Sequence, residues 1–160
     1  MLTVNIICVG KLKEKYWTQA IAEYEKRLSA FCKFNIIEVN EEKISDNPSD
    51  SQIQNTIVHE GERIESKLKK NSFVVSMCIE GKIISSEELS QMIEKASVEG
   101  FSSIDFIIGG SWGISQKLKG LSNAKISMGR MTFPHQLARV MLTEQIYRSF
   151  QISSHTKYHK

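Results

Sequence analysis

Apolar runs rich in β-branched residues alternate about five times with segments of helical period along this chain. The pattern predicts strands over Thr3–Val9, Phe34–Val39, Ser72–Ile79, Ile104–Ile108 and Ala124–Met128. It predicts helices over Glu14–Ser29, from a cap near Ser49 or Asp50, from a capping box at Ser85 and Glu88 to Glu99, near Ser115–Leu121, and from Pro134 to Phe150. This alternation favours an α/β fold with a mostly parallel sheet flanked by helices.

The length of 160 residues, with 41% hydrophobic and 24% charged side chains, predicts one compact domain over residues 1–160. No apolar run approaches the ~18 residues of a membrane helix, so we expect no membrane partner. The N-terminus lacks the features of a signal peptide and is interpreted as mature protein. The cysteines Cys8, Cys32 and Cys78 lack metal-ligand spacing, which predicts reduced, buried thiols, a cytoplasmic location and no metal site.

Charge is distributed unevenly between the two parts of the chain. Residues 109–160 contain eight basic side chains and only Glu144 as an acid, whereas residues 1–108 have four more acids than bases. A one-sided basic segment is typical of proteins that bind a polyanion, and a solvated basic face is the alternative.

The glycine cluster at residues 109–113 supports two interpretations. In a parallel α/β sheet, ligands bind beyond the carboxyl ends of the strands, and this cluster directly follows a predicted strand. Gly109-x-Ser111-x-Gly113 matches the nucleophile elbow of serine hydrolases, with Glu144 and then His155 or His159 downstream, although 160 residues are few for that fold. Alternatively, the glycines allow a ligand to approach the backbone closely.

The segment Met128-Gly129-Arg130-Met131-Thr132-Phe133-Pro134-His135-Gln136 separates the last predicted strand from the last predicted helix. Its glycine, its proline and its apolar side chains could form a loop around a flat, partly apolar ligand. Spacing alone favours an ordinary strand–helix turn in which Met131 and Phe133 pack in the core.

Several segments resemble the RlmH family of SPOUT-class, S-adenosyl-L-methionine-dependent rRNA methyltransferases. They are VGKLKEKYW at 9–17, AEYEKRL at 22–28, FIIGGSWG at 106–113, MTFPHQLARVMLTEQIYRSF at 131–150 and the terminal Tyr158-His159-Lys160. The resemblance implies a homodimer whose C-terminal part forms a trefoil knot. It also implies contacts to S-adenosyl-L-methionine from Met77, Gly109, Met128, Gly129, Arg130, Met131, Thr132 and Phe133. The tail His155-Thr156-Lys157-Tyr158-His159 departs from the commoner Gly-x-Pro-Tyr-His pattern of the family.

The reaction implied by the resemblance is methylation of N3 of a pseudouridine in the helix 69 loop of 23S rRNA. The protein would then have to align the base and remove its imino proton, and Arg139, Tyr158 and His159 are the candidate catalytic residues. The alternative for Arg139 is a solvated helix charge, and the alternative for His159 is an inert histidine near the terminus. Tyr158 also has the alternative of no catalytic role. Glu144 is expected to have a buried, structural or dimer-interface role. A serine hydrolase, a non-enzymatic RNA-binding protein and a methyltransferase for another RNA are the alternative functions.

Overall fold

A computed structural model describes residues 1–159 and contains ten regular elements within that range. The strands are β1 (Thr3–Val9), β2 (Lys33–Val39), β3 (Ser72–Ile83), β4 (Ser103–Ile108) and β5 (Ala124–Ser127). The helices are α1 (Lys15–Leu28), α2 (Asp50–Glu65), α3 (Ser86–Val98), α4 (Gln116–Leu121) and α5 (His135–Ser153). The predicted α/β fold is therefore confirmed, and no described helix is both long and apolar enough to span a membrane.

All five strands run parallel in a single sheet of order β2-β1-β4-β3-β5. Side chains alternate between its two faces, as the two-residue period of a strand requires. Val4, Ile6 and Cys8 of β1 pack with α1, α3 and α5 on one face, whereas Ile7 and Val9 pack with α2 and α4 on the other. Both faces are thus covered by helices, which is why the strands are almost continuously apolar.

Both predicted helix caps are present. The Ser49 side chain accepts from the Gln52 amide, and the Ser85 side chain accepts from the Glu88 amide. In turn, the side chains of Gln52 and Glu88 accept from the backbone amides of Ser49 and Ser85. These capping boxes start α2 and α3 at the positions that the sequence pattern indicates. The structure says nothing about Lys160, which lies outside the described residues.

Strand β3 extends four residues beyond its predicted end. The hydrophobic pattern predicts an end at Ile79, but pairing with β5 resumes at Lys82 after an irregularity. A Cβ atom on Gly81 would lie 2.7 Å from backbone atoms of Ile126, so only glycine allows β3 and β5 to come this close. Helix α5 likewise continues past its predicted end at Phe150, to Ser153. The knot predicted from the family resemblance stays a prediction.

Candidate functional site

A cavity of about 460 Å³ opens at the carboxyl ends of β3, β4 and β5. Met77 pairs with Ile108 of β4 and with Ile126 of β5, so the three strands end at the same edge of the sheet. Their side chains form an apolar wall, and the residues after β4 and β5 supply the rest of the lining. The cavity lies where an open parallel sheet binds its ligands, and its volume suits a small organic molecule.

The turn at residues 109–113 forms one side of the cavity. The Gly113 amide donates to the Gly110 carbonyl at 3.1 Å, and Gly113 has a φ of +95°, a conformation that favours glycine. A Cβ atom on Gly109 would lie 2.7 Å from the Gly113 backbone. The missing side chain at Gly109 is therefore required by the turn itself. The sequence had suggested only that it makes room for a ligand.

A buried carboxyl group supports this turn from behind. Oε1 of Glu60 lies 2.6 Å from the position that a Cβ atom on Gly110 would occupy, and it has no hydrogen-bond partner within residues 1–159. Oε2 accepts from the Glu42 amide at 3.0 Å. Burial raises the pKa of Glu60 above its usual range. A larger residue at Gly110 would therefore displace the Glu60 carboxyl group, a contact that no local sequence signal indicates.

The loop between β5 and α5 forms the other side of the cavity. The Ser127 hydroxyl accepts from the Gly129 amide and donates to the Gly129 carbonyl, which fixes the start of the loop. Met131 is 76% exposed, so it is not packed in the core as an ordinary turn would have it. Seven of the eight predicted cofactor contacts line the cavity, namely Met77, Gly109, Met128, Gly129, Met131, Thr132 and Phe133. Arg130 is exposed and is not part of the lining.

Other lining residues were not identified from the sequence. Cys78, Ile79 and Glu80 follow Met77 on β3, while Trp112, Lys119 and His135 come from the segments after β4 and β5. The signal that could have found them is their position next to predicted contacts at the ends of strands. Cys78 is half-buried in the cavity wall, whereas Cys8 and Cys32 are fully buried, with pKa values raised to about 12 by burial. The prediction that all three thiols are buried is therefore wrong for Cys78.

Arg139 lies outside the cavity lining, although its neighbour Ala138 belongs to it. Its side chain is only 2% exposed, so it is not a solvated helix charge. Nη1 donates to Oε2 of Glu38 at 2.8 Å, and Nη2 donates to the Gly10 carbonyl at 3.2 Å. Nε is buried without a partner among the described residues. These contacts join α5 to the carboxyl ends of β1 and β2, which is the geometry of a positioning residue.

Tyr158 contacts α5 and His159 contacts α3, and neither residue belongs to the cavity lining. The Tyr158 hydroxyl donates to Oε1 of Glu144 at 3.2 Å, and its ring lies edge-on to Tyr147 at 5.0 Å. Burial and the neighbouring Glu144 carboxylate raise the pKa of Tyr158. The tail is therefore attached to the body of the protein through Tyr158.

His159 is held between two charged side chains. Its Nε2 lies 2.5 Å from Oε1 of Glu87, and its Nδ1 lies 3.2 Å from Nη1 of Arg148. A guanidinium group can only donate, so Nδ1 accepts and the proton lies on Nε2. The structure thus brings Tyr158 and His159 together through Arg148 and places Arg139 elsewhere. Their predicted role in catalysis stays a prediction.

Glu144 links the tail to a second cavity of about 540 Å³. It receives two hydrogen bonds from Arg148 and one from Tyr158, and it lines this second cavity together with Tyr24. The two cavities share Met77, Ile126, Ser127 and Met128 as a common wall. The partly buried position of Glu144 agrees with the structural role expected from the sequence.

The serine hydrolase interpretation does not fit this geometry. Ser111 is exposed and has no hydrogen bond to a histidine in the described part of the chain. Glu144 is engaged by Arg148 and Tyr158, and His159 is engaged by Glu87. His155, the other candidate histidine, is exposed and has no hydrogen bond to Ser111 or Glu144. The side chains that would form a triad are thus committed to other partners or to solvent.

The basic surplus of the C-terminal segment is largely neutralised by nearby acids. Of its seven described basic residues, four form ion pairs: Lys117–Glu65, Lys119–Glu80, Arg139–Glu38 and Arg148–Glu144. The three without an ion pair to a described residue are Lys125, Arg130 and Lys157. Segment-wide charge counting therefore overstates the positive potential of this part of the surface.

Comparison with known proteins gives a consistent result. The family model described as "Predicted SPOUT methyltransferase" matches residues 2–159. Proteins named ribosomal RNA large subunit methyltransferase H are similar over their whole length. The relative from Oenococcus oeni is 50% identical over 160 residues, covering 100% of both chains. The one from Pediococcus pentosaceus is 54% identical over 159 residues, covering 99% of this chain and 100% of the relative.

Proposed function

This chain belongs to the SPOUT methyltransferase family, and from that membership we propose that it methylates the ribosomal RNA of the large subunit with S-adenosyl-L-methionine as donor. The target atom is N3 of a pseudouridine in the helix 69 loop of 23S rRNA, as the resemblance to the RlmH family implies. The observation that carries the proposal is the cavity at the strand ends, whose lining includes seven of the eight cofactor contacts that the family resemblance implies. Neither a hydrolase nor a non-enzymatic RNA-binding protein accounts for that lining.

The lining of the cavity suits the proposed donor. Met77, Ile108, Ile126, Met128 and Phe133 offer apolar surface to a flat ring, and the turns at 109–113 and 128–133 offer backbone N–H and C=O groups to polar substituents. At Gly113 and Gly129 an added Cβ atom would meet nothing within 4 Å, so these backbones border open space. When bound, the donor supplies a methyl group that its sulfonium already activates, and such a transfer requires no metal ion.

The protein's own contribution is then to position the base, exclude water and accommodate the imino proton. Alignment alone can supply ~7–11 kcal/mol of the barrier in favourable cases. Arg139 acts as a positioning residue, because it fixes the first turn of α5, whose residues His135 and Ala138 line the cavity. Tyr158 and His159 are the proposed groups for placing the base, and Arg130 is the proposed cofactor contact that lies outside the lining.

A pair of matched variants on β3 tests the donor site. Ile79 and Ile83 are 59% and 60% exposed, but only Ile79 lines the cavity. Ile79→Ala removes three carbons, and each is worth ~0.8 kcal/mol if the ligand covers it. Coverage of one to three of them should raise the Kd for S-adenosyl-L-methionine about 4- to 60-fold. Ile83→Ala should leave it unchanged. Calorimetry that shows equal effects of the two variants would contradict the assignment of this cavity.

The substrate is tested by nucleoside mass spectrometry. Purified protein is incubated with the donor and with free 23S rRNA, large subunits or whole ribosomes, each from cells that lack the modification. N3-methylpseudouridine in the helix 69 fragment is the expected product, and its appearance in one of the three samples identifies the form of the substrate. A methyl group at another position, or in another RNA, would overturn the proposed target and retain the methyltransferase.

We further propose that residues 1–160 act as a single domain within a cytoplasmic homodimer. A chain of this length offers little surface for a methyl donor and an RNA at once, which favours two copies acting together. Light scattering of the active protein measures the assembly directly, and a fully active monomer would contradict it.

A further inference from the structure

The connection between β1 and α1, together with the first residue of α1, presents three exposed lysines that have no ion-pair partner among residues 1–159. Lys11, Lys13 and Lys15 are all exposed and form no ion pair there, and Tyr16 beside them is 63% exposed. We call residues 10–16 the β1–α1 loop. Its only acid is Glu14, so the loop has a surplus of two positive charges.

The β1–α1 loop leaves the sheet at the same edge as the turn of the main cavity. Cys8 of β1 pairs in parallel with Ile108 of β4, so Gly10 and Gly109 both follow the carboxyl ends of neighbouring strands. Gly10 turns the chain with a φ of +83°. The register of the sheet therefore places the lysines at the same edge as the cavity.

Two side chains behind the lysines hold the loop to the framework of the cavity. Oε2 of Glu38 accepts from the Leu12 amide at 3.2 Å, and the same carboxylate oxygen receives Nη1 of Arg139. Nη2 of Arg139 donates to the Gly10 carbonyl, and the Gly10 amide donates to the Val39 carbonyl at 2.9 Å. The backbone of the loop is thus tied to β2 and to α5, while the three lysines form no ion pair with a described acid.

We infer that the β1–α1 loop binds backbone phosphates of the RNA substrate next to the site of methyl transfer. This inference rests on the proposed function, because it takes RNA as the substrate of the cavity. Most basic residues of the C-terminal segment are neutralised by ion pairs, so the N-terminal lysines are the freer positive charge. Ammonium groups on flexible stems bind phosphate without reading sequence, so the loop orients the RNA and leaves base choice to the cavity.

The chain offers a matched control for this surface. Lys67, Lys69 and Lys70 are also exposed and without described ion pairs, but they precede β3 and lie at the opposite edge of the sheet. The variants K11A/K13A/K15A and K67A/K69A/K70A therefore remove the same charge from the two ends of the strands. Comparable melting temperatures for both variants verify that each is folded.

Binding of a helix 69 stem-loop RNA is measured at 50 and 200 mM salt. Each lost phosphate contact lowers the slope of log K against log salt by about 0.7–0.9. The fourfold rise in salt raises the Kd of both proteins. If three contacts are lost, the factor by which the Kd rises should be about 20- to 40-fold smaller for the loop variant than for the unmodified protein. The control variant should keep the slope of the unmodified protein.

Methylation of large subunits separates this inference from the proposed function. The loop variant should show a raised KM for the RNA substrate and an unchanged kcat and donor affinity, since the lysines contact neither the cavity nor the donor. An unchanged slope and KM in the loop variant, or equal losses in both variants, would overturn the inference while methylation by the unmodified protein stands. Absence of methylation by the unmodified protein would instead contradict the proposed function.

Discussion

Replacing Arg139 and its partner Glu38 in turn distinguishes a positioning role from direct contact with the substrate. Arg139→Met keeps a stem of similar length and removes both hydrogen bonds of the guanidinium. The bond to a charged partner contributes ~1.5–3 kcal/mol and the bond to a carbonyl ~1, while losing the unpartnered Nε relieves ~1–3 kcal/mol. The expected net loss is about 1–2 kcal/mol, which lowers Tm by about 2–8 °C.

Glu38→Ala should cost more than Arg139→Met. It leaves a guanidinium that is 2% exposed without its carboxylate, and stranding one partner of a buried pair costs ~3–5 kcal/mol, here reduced because Glu38 is 35% exposed. The double variant should then be more stable than Glu38→Ala alone, because the stranded charge is gone. Denaturant titration of the four proteins gives a coupling free energy, expected to be about 1–3 kcal/mol.

Methyl-transfer assays on the same four proteins decide the role of Arg139. If it acts by holding the first turn of α5, both single variants should lose about ten- to hundredfold in kcat/KM for RNA, since small misplacements have effects of that size. The kcat/KM of the double variant should be no lower than that of the less active single variant. Inactivation by Arg139→Met with full activity of Glu38→Ala would refute this reasoning and indicate that Arg139 contacts the base.

Three further predictions concern other groups around the site. Alkylation by iodoacetamide at pH 8 should occur at Cys78 and be slowed by S-adenosyl-L-methionine, with the adduct located by peptide mass spectrometry. Burial raises the pKa of all three thiols, but Cys78 is half-buried and lines the cavity, whereas Cys8 and Cys32 are fully buried with pKa values of about 12. Burial raises the pKa of Glu60, so the folded state loses stability as pH rises from about 4.5 through the folded pKa. The difference in Tm between Glu60→Gln and the unmodified protein should therefore shift in favour of the variant from pH 4 to pH 8, and a constant difference would contradict this. Tyr158→Phe keeps the ring against Tyr147 and removes the hydrogen bond to Glu144, so it should change the free energy of unfolding by less than ~1.5 kcal/mol. It should lower the rate of methyl transfer at least tenfold, and full turnover would exclude the hydroxyl from the reaction.

The sequence was sufficient for the order of the elements, because hydrophobic period and capping residues are local signals. Ser49 and Ser85 start their helices where the capping pattern indicates. The extension of β3 was not predictable, since Gly81 is a strand breaker unless another backbone passes close to it, as Ile126 does here. Local patterns cannot report such a long-range crossing.

The candidate site shows the same limit. Residues next to strand ends, such as Gly109 and Met128, were placed in the cavity from their positions and from the family resemblance. Arg139, in contrast, finds its partner Glu38 a hundred residues earlier in the chain, and Glu60 reaches Gly110 from α2. Burial of a charged side chain follows from tertiary partners, so the sequence could not distinguish a buried Arg139 from a solvated helix charge.

The common wall of the two cavities has a thermodynamic consequence. Met77 and Met128 have three side-chain torsions each, so a molecule that fills one cavity can shift a thioether into the space of the other. Occupancy on the strand-end side then alters the volume available beside Glu144, and linkage requires the influence to be equal in the reverse direction. Two ligands that do not contact each other would therefore still change each other's affinity through two methionine side chains.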